Sequence, residues 1–149
     1  MPRLFVEKSI QINAPIAKVW EVLVKAQFTN QWWREYGIDG GVESDWKTGS
    51  EILCKNKDGK VYVKGTVIAV HPYELLRFTA FDVNVGPEGG PDDYGLTFTL
   101  SNNKDRTVLS IVQGDFAKIT NGEKHYNEVP AAWNKALPKI KELAETRLS

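Results

Sequence analysis

The chain has 149 residues, about the length of one globular domain, so we expect residues 1–149 to form a single domain. Hydrophobic residues make up 42% of the chain and charged residues 26%, which excludes disordered and collagen-like proteins. The 19 basic residues balance the 19 acidic residues, and this balance argues against a nucleic-acid partner.

Other features of the composition indicate where the protein is located and which chemistry it lacks. No run approaches the roughly 18 apolar residues of a transmembrane helix, and the first eight residues lack the apolar stretch of a signal peptide. We therefore expect a cytoplasmic protein with no stable membrane insertion. The single cysteine, Cys54, excludes a disulfide scaffold. The two histidines, His71 and His125, lack the spacing of metal ligands, so neither a metal nor another cofactor is expected.

The first predicted elements are a strand and an amphipathic helix. Leu4 to Ile12 has apolar residues at alternate positions, interrupted by Lys8, as in a β-strand. Asn13 and Pro15 are favoured at a helix start. Five apolar residues then follow the i, i+3, i+4 spacing of a helix of about three turns. These residues are Ile16, Val19, Trp20, Leu23 and Val24.

A second, short helix is predicted from Thr29 to Arg34. It contains the adjacent tryptophans Trp32 and Trp33. Neighbouring positions on a helix point in different directions. We therefore expect one indole to pack in the core and the other to border a cavity.

The middle of the chain predicts an antiparallel meander. Alternating or β-rich runs are separated by short turns, one of which contains the hairpin signal Asp58-Gly59. The predicted strands are Glu51–Lys55, Val61–Val70, Leu75–Val83, Tyr94–Leu100 and Thr107–Gln113. The glycine- and proline-rich segment Val85–Asp93 is predicted to be a mobile loop at the mouth of a cavity.

Alternation along the strands predicts which side chains point inward. The inward set is Ile52, Cys54, Val63, Gly65, Val67, Ala69, Leu76, Phe78, Ala80, Leu96, Phe98, Leu100, Leu109, Ile111 and Gln113. Gln113 is the polar exception and needs a hydrogen-bond partner from protein, water or ligand. Four aspartates are expected in solvated turns: Asp82, Asp92, Asp93 and Asp115.

The C-terminal third predicts a helix of about 25 residues. Its apolar stripe consists of Tyr126, Val129, Pro130, Trp133, Leu137, Ile140, Ala144 and Leu148. The spacing of Thr120 and Glu123 is that of a capping box at its start. Because Pro130 and Pro138 each remove a backbone hydrogen bond, a kink or break is expected near residues 126–129.

These elements predict an α+β fold. A curved antiparallel sheet of about six or seven strands would wrap around the long C-terminal helix, with two short helices after the first strand. Such an arrangement often leaves a cavity between helix and sheet. We expect the cavity at the Gly122 end of the helix, where Pro130 makes close packing harder.

Several segments resemble the SRPBCC superfamily, also called START-like or helix-grip. The similar segments are Ile12–Leu23, Phe28–Trp33, Gly65–Val67, His71–Leu76 and Trp133–Lys141. Within the superfamily, the chain is most similar to the branch of homologues of the heat-shock-protein-90 ATPase activator, in its C-terminal domain type. The resemblance implies a helix-grip fold with a ligand cavity, and the branch implies possible contact with a chaperone.

Three functions follow as alternatives. The first is binding of a small hydrophobic or aromatic ligand by Trp32, Trp33, Phe78, Phe98, Gln113, Tyr126, Val129, Pro130 and Trp133. The second is a co-chaperone-like interaction domain. The third is a cyclase- or hydrolase-type enzyme, which needs a titratable group inside the cavity. No catalytic residue is assigned, because the sequence contains no nucleophile elbow, phosphate loop or dinucleotide fingerprint.

Overall fold

A computed structural model describes residues 3–84, 86 and 93–146. The strands are β1 (Val6–Ile12), β2 (Val42–Glu43), β3 (Glu51–Lys55), β4 (Val61–His71), β5 (Leu75–Phe78), β6 (Phe81–Asp82), β7 (Gly95–Asn103) and β8 (Arg106–Gly114). The helices are α1 (Ile16–Val24), α2 (Ala26–Tyr36) and α3 (Gly122–Glu145), and a short 3₁₀ helix covers Phe116–Lys118. The predicted loop Val85–Asp93 lies largely outside the described residues.

The strands form one antiparallel sheet in the order β1-β8-β7-β5-β4-β3-β2, with β6 paired to β4. The N-terminal strand is therefore paired beside the last one, with Val6 opposite Gln113 and Ile12 opposite Thr107. The long helix α3 packs against this sheet and against α1 and α2. This is the predicted helix-grip architecture, and the predicted fold class is confirmed.

The predicted strand Leu75–Val83 is wrong as a single element, because it is interrupted between β5 and β6. At the interruption the carbonyl oxygen of Thr79 lies against Gly65 of β4, where a Cβ would stand only 1.7 Å from that oxygen. The Thr79 backbone N–H donates to the Thr66 carbonyl oxygen at 3.0 Å. A glycine in β4 thus permits a close backbone approach that divides one strand into two.

Helix α3 is continuous through Pro130 and Pro138, so no break occurs near residues 126–129. Tertiary packing explains this continuity, because the indole of Trp133 and the side chain of Ile140 are fully buried. The helix also begins one residue later than the predicted capping box places its start. The N-cap is Asn121 in a left-handed conformation with φ of 58°, and its side chain makes no capping hydrogen bond.

Helix α2 is longer than predicted and buries both of its tryptophans. Trp32 is fully buried, and its indole N–H donates to the Val22 carbonyl oxygen at 2.7 Å. The apolar spacing of α1 puts Trp20 on the same helix face as Val19 and Leu23, which are fully buried. Trp20 itself is only partly buried, with its ring 6.2 Å from that of the exposed Tyr73.

Asp115 is another correction, because it is buried and not in a solvated turn. Its Oδ1 accepts hydrogen bonds from the backbone N–H of Leu4 at 2.8 Å and of Ala117 at 2.9 Å. The carboxylate caps the 3₁₀ helix and ties it to the N-terminal segment. Separately, no helix in the described ranges is long and apolar enough to cross a membrane.

Candidate functional site

A cavity of about 390 Å³ lies between helix α2, the inner face of the sheet and the N-terminal part of α3. Trp33 and Tyr36 line it from α2, Cys54 from β3 and Phe78 from β5. Its apolar walls are therefore assembled from segments that are distant in sequence.

Helix geometry explains why α2 contributes two wall residues. Trp33 and Tyr36 are three positions apart and so lie on one helix face. Their ring centroids are 5.2 Å apart in an edge-to-face arrangement. The helix ends there, because Gly37 follows with φ of 130°, a conformation that glycine adopts readily.

The polar centre of the cavity is the Gln113 side chain on β8. Its Oε1 accepts a hydrogen bond from the indole N–H of Trp133 at 2.9 Å, and its Nε2 donates to the Tyr94 hydroxyl at 2.9 Å. The phenol of Tyr36 lines the same cavity from α2. One buried amide thus joins the core indole of Trp133 to the hydroxyl of Tyr94, which lines the cavity.

The tyrosine hydroxyls of this centre are protonated at neutral pH. Burial is the main cause that raises the pKa of Tyr36 far above its usual 10.0, and the neighbouring Tyr94 raises it further. Burial also raises the pKa of Tyr94, against a smaller lowering by the hydrogen bond from Gln113. Protonated phenols are hydrogen-bond donors, so the cavity offers O–H groups to an occupant.

Cys54 lines the same cavity from β3. Burial raises the pKa of its thiol to about 12. Since the thiolate is the nucleophilic form, this cysteine is unreactive at neutral pH despite its position. The wall at Cys54 therefore acts as an apolar surface.

A histidine and an aspartate lie at the edge of the cavity. His125, near the start of α3, and Asp82, in β6, both line the cavity and are exposed. Across the described ranges, no group of three or more His, Cys, Asp or Glu side chains could hold a metal ion. The interior of the cavity presents aromatic surface together with tyrosine hydroxyls and the Gln113 amide.

Four residues predicted from the sequence as ligand-binding lie on the cavity wall: Trp33, Phe78, Gln113 and Val129. Trp33 and Phe78 have ring centroids 6.3 Å apart, and both are buried. Val129 extends the wall along α3 and is half-buried. The tryptophan pair behaves as expected, since Trp33 borders the cavity while Trp32 packs behind it.

The other five predicted residues lie off the cavity wall. Trp32, Phe98 and Trp133 form a packed aromatic layer behind it, with the Phe98 and Trp133 rings perpendicular at 5.8 Å. Tyr126 packs on Phe116 at 6.1 Å between ring centroids. Pro130 is half-buried on α3.

Sequence reasoning missed the tyrosines. Tyr94 has the same parity as Leu96, Phe98 and Leu100 on the adjoining strand, so alternation could have revealed it. Tyr36 lies one helical turn beyond Trp32 and Trp33, but the predicted helix ended at Arg34. Cys54 was correctly placed inward, although only the structure shows that it faces a cavity.

Known proteins share this architecture. Protein MLL2253 from Mesorhizobium loti has a TM-score of 0.75 at 21% identity, covering 97% of this chain and 99% of that chain. Protein ChR145 from Cytophaga hutchinsonii has a TM-score of 0.69 at 30% identity, covering 97% of both chains. DynU16, a protein in the dynemicin biosynthetic locus, has a TM-score of 0.75 at 21% identity, covering 97% of this chain and 48% of that chain.

The fold, with a cavity between its long helix and its sheet, defines a protein of the helix-grip, START-like class. The family model described as Activator of Hsp90 ATPase homolog 1-like protein matches residues 13–145, and the chain belongs to that family. No curated protein matches the sequence.

Proposed function

We propose that the protein binds one small hydrophobic or aromatic molecule in the cavity between α3 and the sheet. The observation that carries the proposal is the cavity itself, whose volume of about 390 Å³ falls in the range of small-molecule sites. Aromatic walls from Trp33 and Phe78 supply apolar contact, and the Gln113 centre supplies a few fixed polar groups. The cytoplasmic location expected from the sequence stays a prediction.

The test is a titration of the purified protein with fatty acids, flavonoids and polycyclic aromatic compounds. Binding is followed by tryptophan fluorescence, to which Trp33 on the wall should respond, and by thermal shift. We expect at least one compound to bind with 1:1 stoichiometry and a Kd well below about 1 mM, which corresponds to about 4 kcal/mol. The aromatic members are included because the rings of Trp33 and Phe78 line the cavity.

A matched pair of variants locates the binding. Val129→Trp places a large side chain at the cavity wall and should abolish binding. Val112→Trp makes the same substitution at an outward, half-buried position of β8 and should leave binding unchanged. If no compound binds more tightly than about 1 mM, or if Val129→Trp binds normally, the proposal is wrong.

The family description supports a second candidate, contact with a chaperone ATPase. The discriminating measurement is the ATPase rate of an Hsp90-type chaperone with and without the purified chain. Stimulation that survives the Val129→Trp substitution would favour an interaction surface outside the cavity. No change in the ATPase rate would remove this candidate.

A further inference from the structure

The fixed charge on the described part of the cavity wall is negative. Asp82, in β6, is the one carboxylate among the described lining residues, and none of them is lysine or arginine. A buried anion is costly unless a cation or several hydrogen-bond donors compensate it. An anionic occupant would therefore find no lysine or arginine on these walls and would be repelled at the mouth, where Asp82 is exposed.

The Asp82 carboxylate is held in place at this mouth. Its Oδ1 accepts a hydrogen bond from the backbone N–H of Asn84 at 2.8 Å, as in an aspartate-stabilised turn. Within the described ranges, none of the ion pairs involves Asp82. Its negative charge is therefore not neutralised by a described lysine or arginine.

Two lysines close to the lining in sequence do not change this sign. Lys118 follows the lining residue Phe116 by two positions, and its ammonium group forms an ion pair with Asp93 at 3.1 Å. Lys64 lies opposite Phe81 in the pairing of β4 with β6, but it is exposed and does not line the cavity. Neither lysine supplies a positive charge to the described walls.

A series of aromatic rings accompanies the carboxylate. Phe81 directly precedes Asp82, and its ring centroid lies 5.6 Å from that of Tyr94, which in turn lies 5.3 Å from that of Phe116. All three rings line the cavity. Because the face of an aromatic ring is electron-rich, such rings attract organic cations. The rings and the carboxylate therefore favour the same sign of charge.

We propose that the ligand is an amphipathic organic cation, with an apolar or aromatic body and an ammonium group. The body occupies the cavity against Trp33 and Phe78, and the ammonium group lies at the mouth, where Asp82 supplies the opposite charge and Phe81 supplies aromatic surface. This inference rests on the proposed function, because it names the chemical class that the same cavity takes.

The experiment compares three compounds that share a naphthylmethyl body and differ in the charge of the head group. They are naphthylmethyl-trimethylammonium, its neutral carbon isostere neopentylnaphthalene, and the anion naphthylmethanesulfonate. Isothermal titration calorimetry gives the Kd of each compound for the wild-type protein. We expect the cation to bind at least about tenfold more tightly than the anion, since the carboxylate attracts one and repels the other.

Asp82→Asn removes the charge and keeps a side-chain oxygen that can accept from Asn84. It should bring the affinities for the cation and the anion to within about threefold of each other, and leave the affinity for the neutral isostere unchanged. Asp105→Asn makes the same substitution in an exposed turn and should keep the tenfold preference. His125→Gln removes the exposed imidazole that lines the same cavity and should keep it as well.

The outcomes separate this inference from the proposed function. If wild-type protein binds the anion as tightly as the cation, or if Asp82→Asn keeps the full preference, the cationic class is wrong and binding in the cavity stands. The same holds if none of the three compounds binds while other members of the ligand panel do. If no compound of either set binds, the proposed function itself fails.

Discussion

Gln113 connects the core to the cavity through one side chain. Buried amides are normally hydrogen-bonded, and here the partners are the Trp133 indole on α3 and the phenol of Tyr94, just before β7. Because its oxygen and nitrogen are assigned to different partners, the amide cannot rotate freely. This residue therefore sets which hydrogen-bonding groups the cavity presents.

Cys54 gives a prediction at the residue scale. Since burial raises its thiol pKa to about 12, the native protein should react very slowly with a thiol reagent at about pH 8, close to the pKa of a free cysteine. The measurement is the rate of release of a chromophore from an aromatic disulfide reagent. Unfolding in urea is the control and should expose the chain's single thiol at once. Rapid stoichiometric labelling of the native protein would contradict the prediction.

At the scale of elements, the aromatic contacts of Trp133 stabilise helix α3 against the rest of the domain. Trp133 lies within 6.2 Å, between ring centroids, of each of four neighbours: Trp32, Trp33, Tyr36 and Phe98. These neighbours belong to α2 and β7. Their packing explains why α3 stays continuous through two prolines, because the tertiary contacts offset the two lost backbone hydrogen bonds.

Trp133→Ala is expected to destabilise the protein by about 3–5 kcal/mol, since it removes a fully buried indole and leaves a cavity. The free energy of unfolding is measured by urea denaturation. Lys135→Ala, at an exposed position of the same helix, is the control and should change stability by less than about 0.5 kcal/mol. A loss of about 1 kcal/mol or less for Trp133→Ala would show that α3 packs more weakly than the structure indicates.

The contact between the 3₁₀ helix and the N-terminal segment predicts a pH dependence. The backbone N–H of Leu4, together with that of Ala117, lowers the pKa of Asp115 below its usual 3.8. The Asp115 carboxylate therefore binds a proton less readily in the folded state than in the unfolded state. Its contribution to stability is complete above about pH 3.8 and is lost as the pH falls through the lower, folded-state pKa. The hydrogen bond from the Lys141 side chain, together with one from the Asn13 backbone N–H, lowers the pKa of Glu145, which contributes to the pH dependence in the same direction.

Asp115→Ala should therefore cost about 1–2 kcal/mol at neutral pH, and the difference from wild type should shrink in strong acid. Urea denaturation at a series of pH values measures this difference in stability. Because Glu145 is present in both proteins, its own pH dependence cancels in the comparison. Asp105→Ala removes a carboxylate in an exposed turn and provides the matched control. A difference between Asp115→Ala and wild type that stays constant from neutral pH into acid would exclude the charged cap.

For the whole molecule, the aromatic layer couples elements that are far apart in sequence. Rings from α2, β5, β7 and α3 are in contact around Trp133 and Trp33. The pairing of β1 with β8 also brings the N-terminal segment into the sheet beside the chain's last strand. Helix α3 contributes Trp133 to this layer, and β1 contacts both α3 and β8.

We therefore expect unfolding in a single cooperative transition. Tryptophan fluorescence, which reports the aromatic layer, and far-ultraviolet circular dichroism, which reports helices and strands, should give the same midpoint in urea. Trp133→Ala should shift both midpoints together. Separate midpoints in the wild-type protein would mean that α3 or the sheet edge unfolds on its own.

Local sequence patterns were enough to predict the main helices and strands and the fold class. Spacing of apolar residues predicted α1 and α3, alternation predicted the main strands, and Asp58-Gly59 predicted one hairpin, because these signals depend on local backbone geometry. Alternation also placed Cys54, Phe78 and Gln113 inward, as the structure shows. These inferences required no knowledge of which strand pairs with which.

The polar centre of the cavity and the continuity of α3 depend instead on tertiary packing. Tyr36, Tyr94 and Gln113 are separated by many residues, and their meeting depends on the β7–β8 register and on the packing of α2 against α3. The division of β5 from β6 likewise depends on the approach of Thr79 to Gly65. Local periodicity cannot encode such contacts, because each is set by the simultaneous packing of elements distant in the chain.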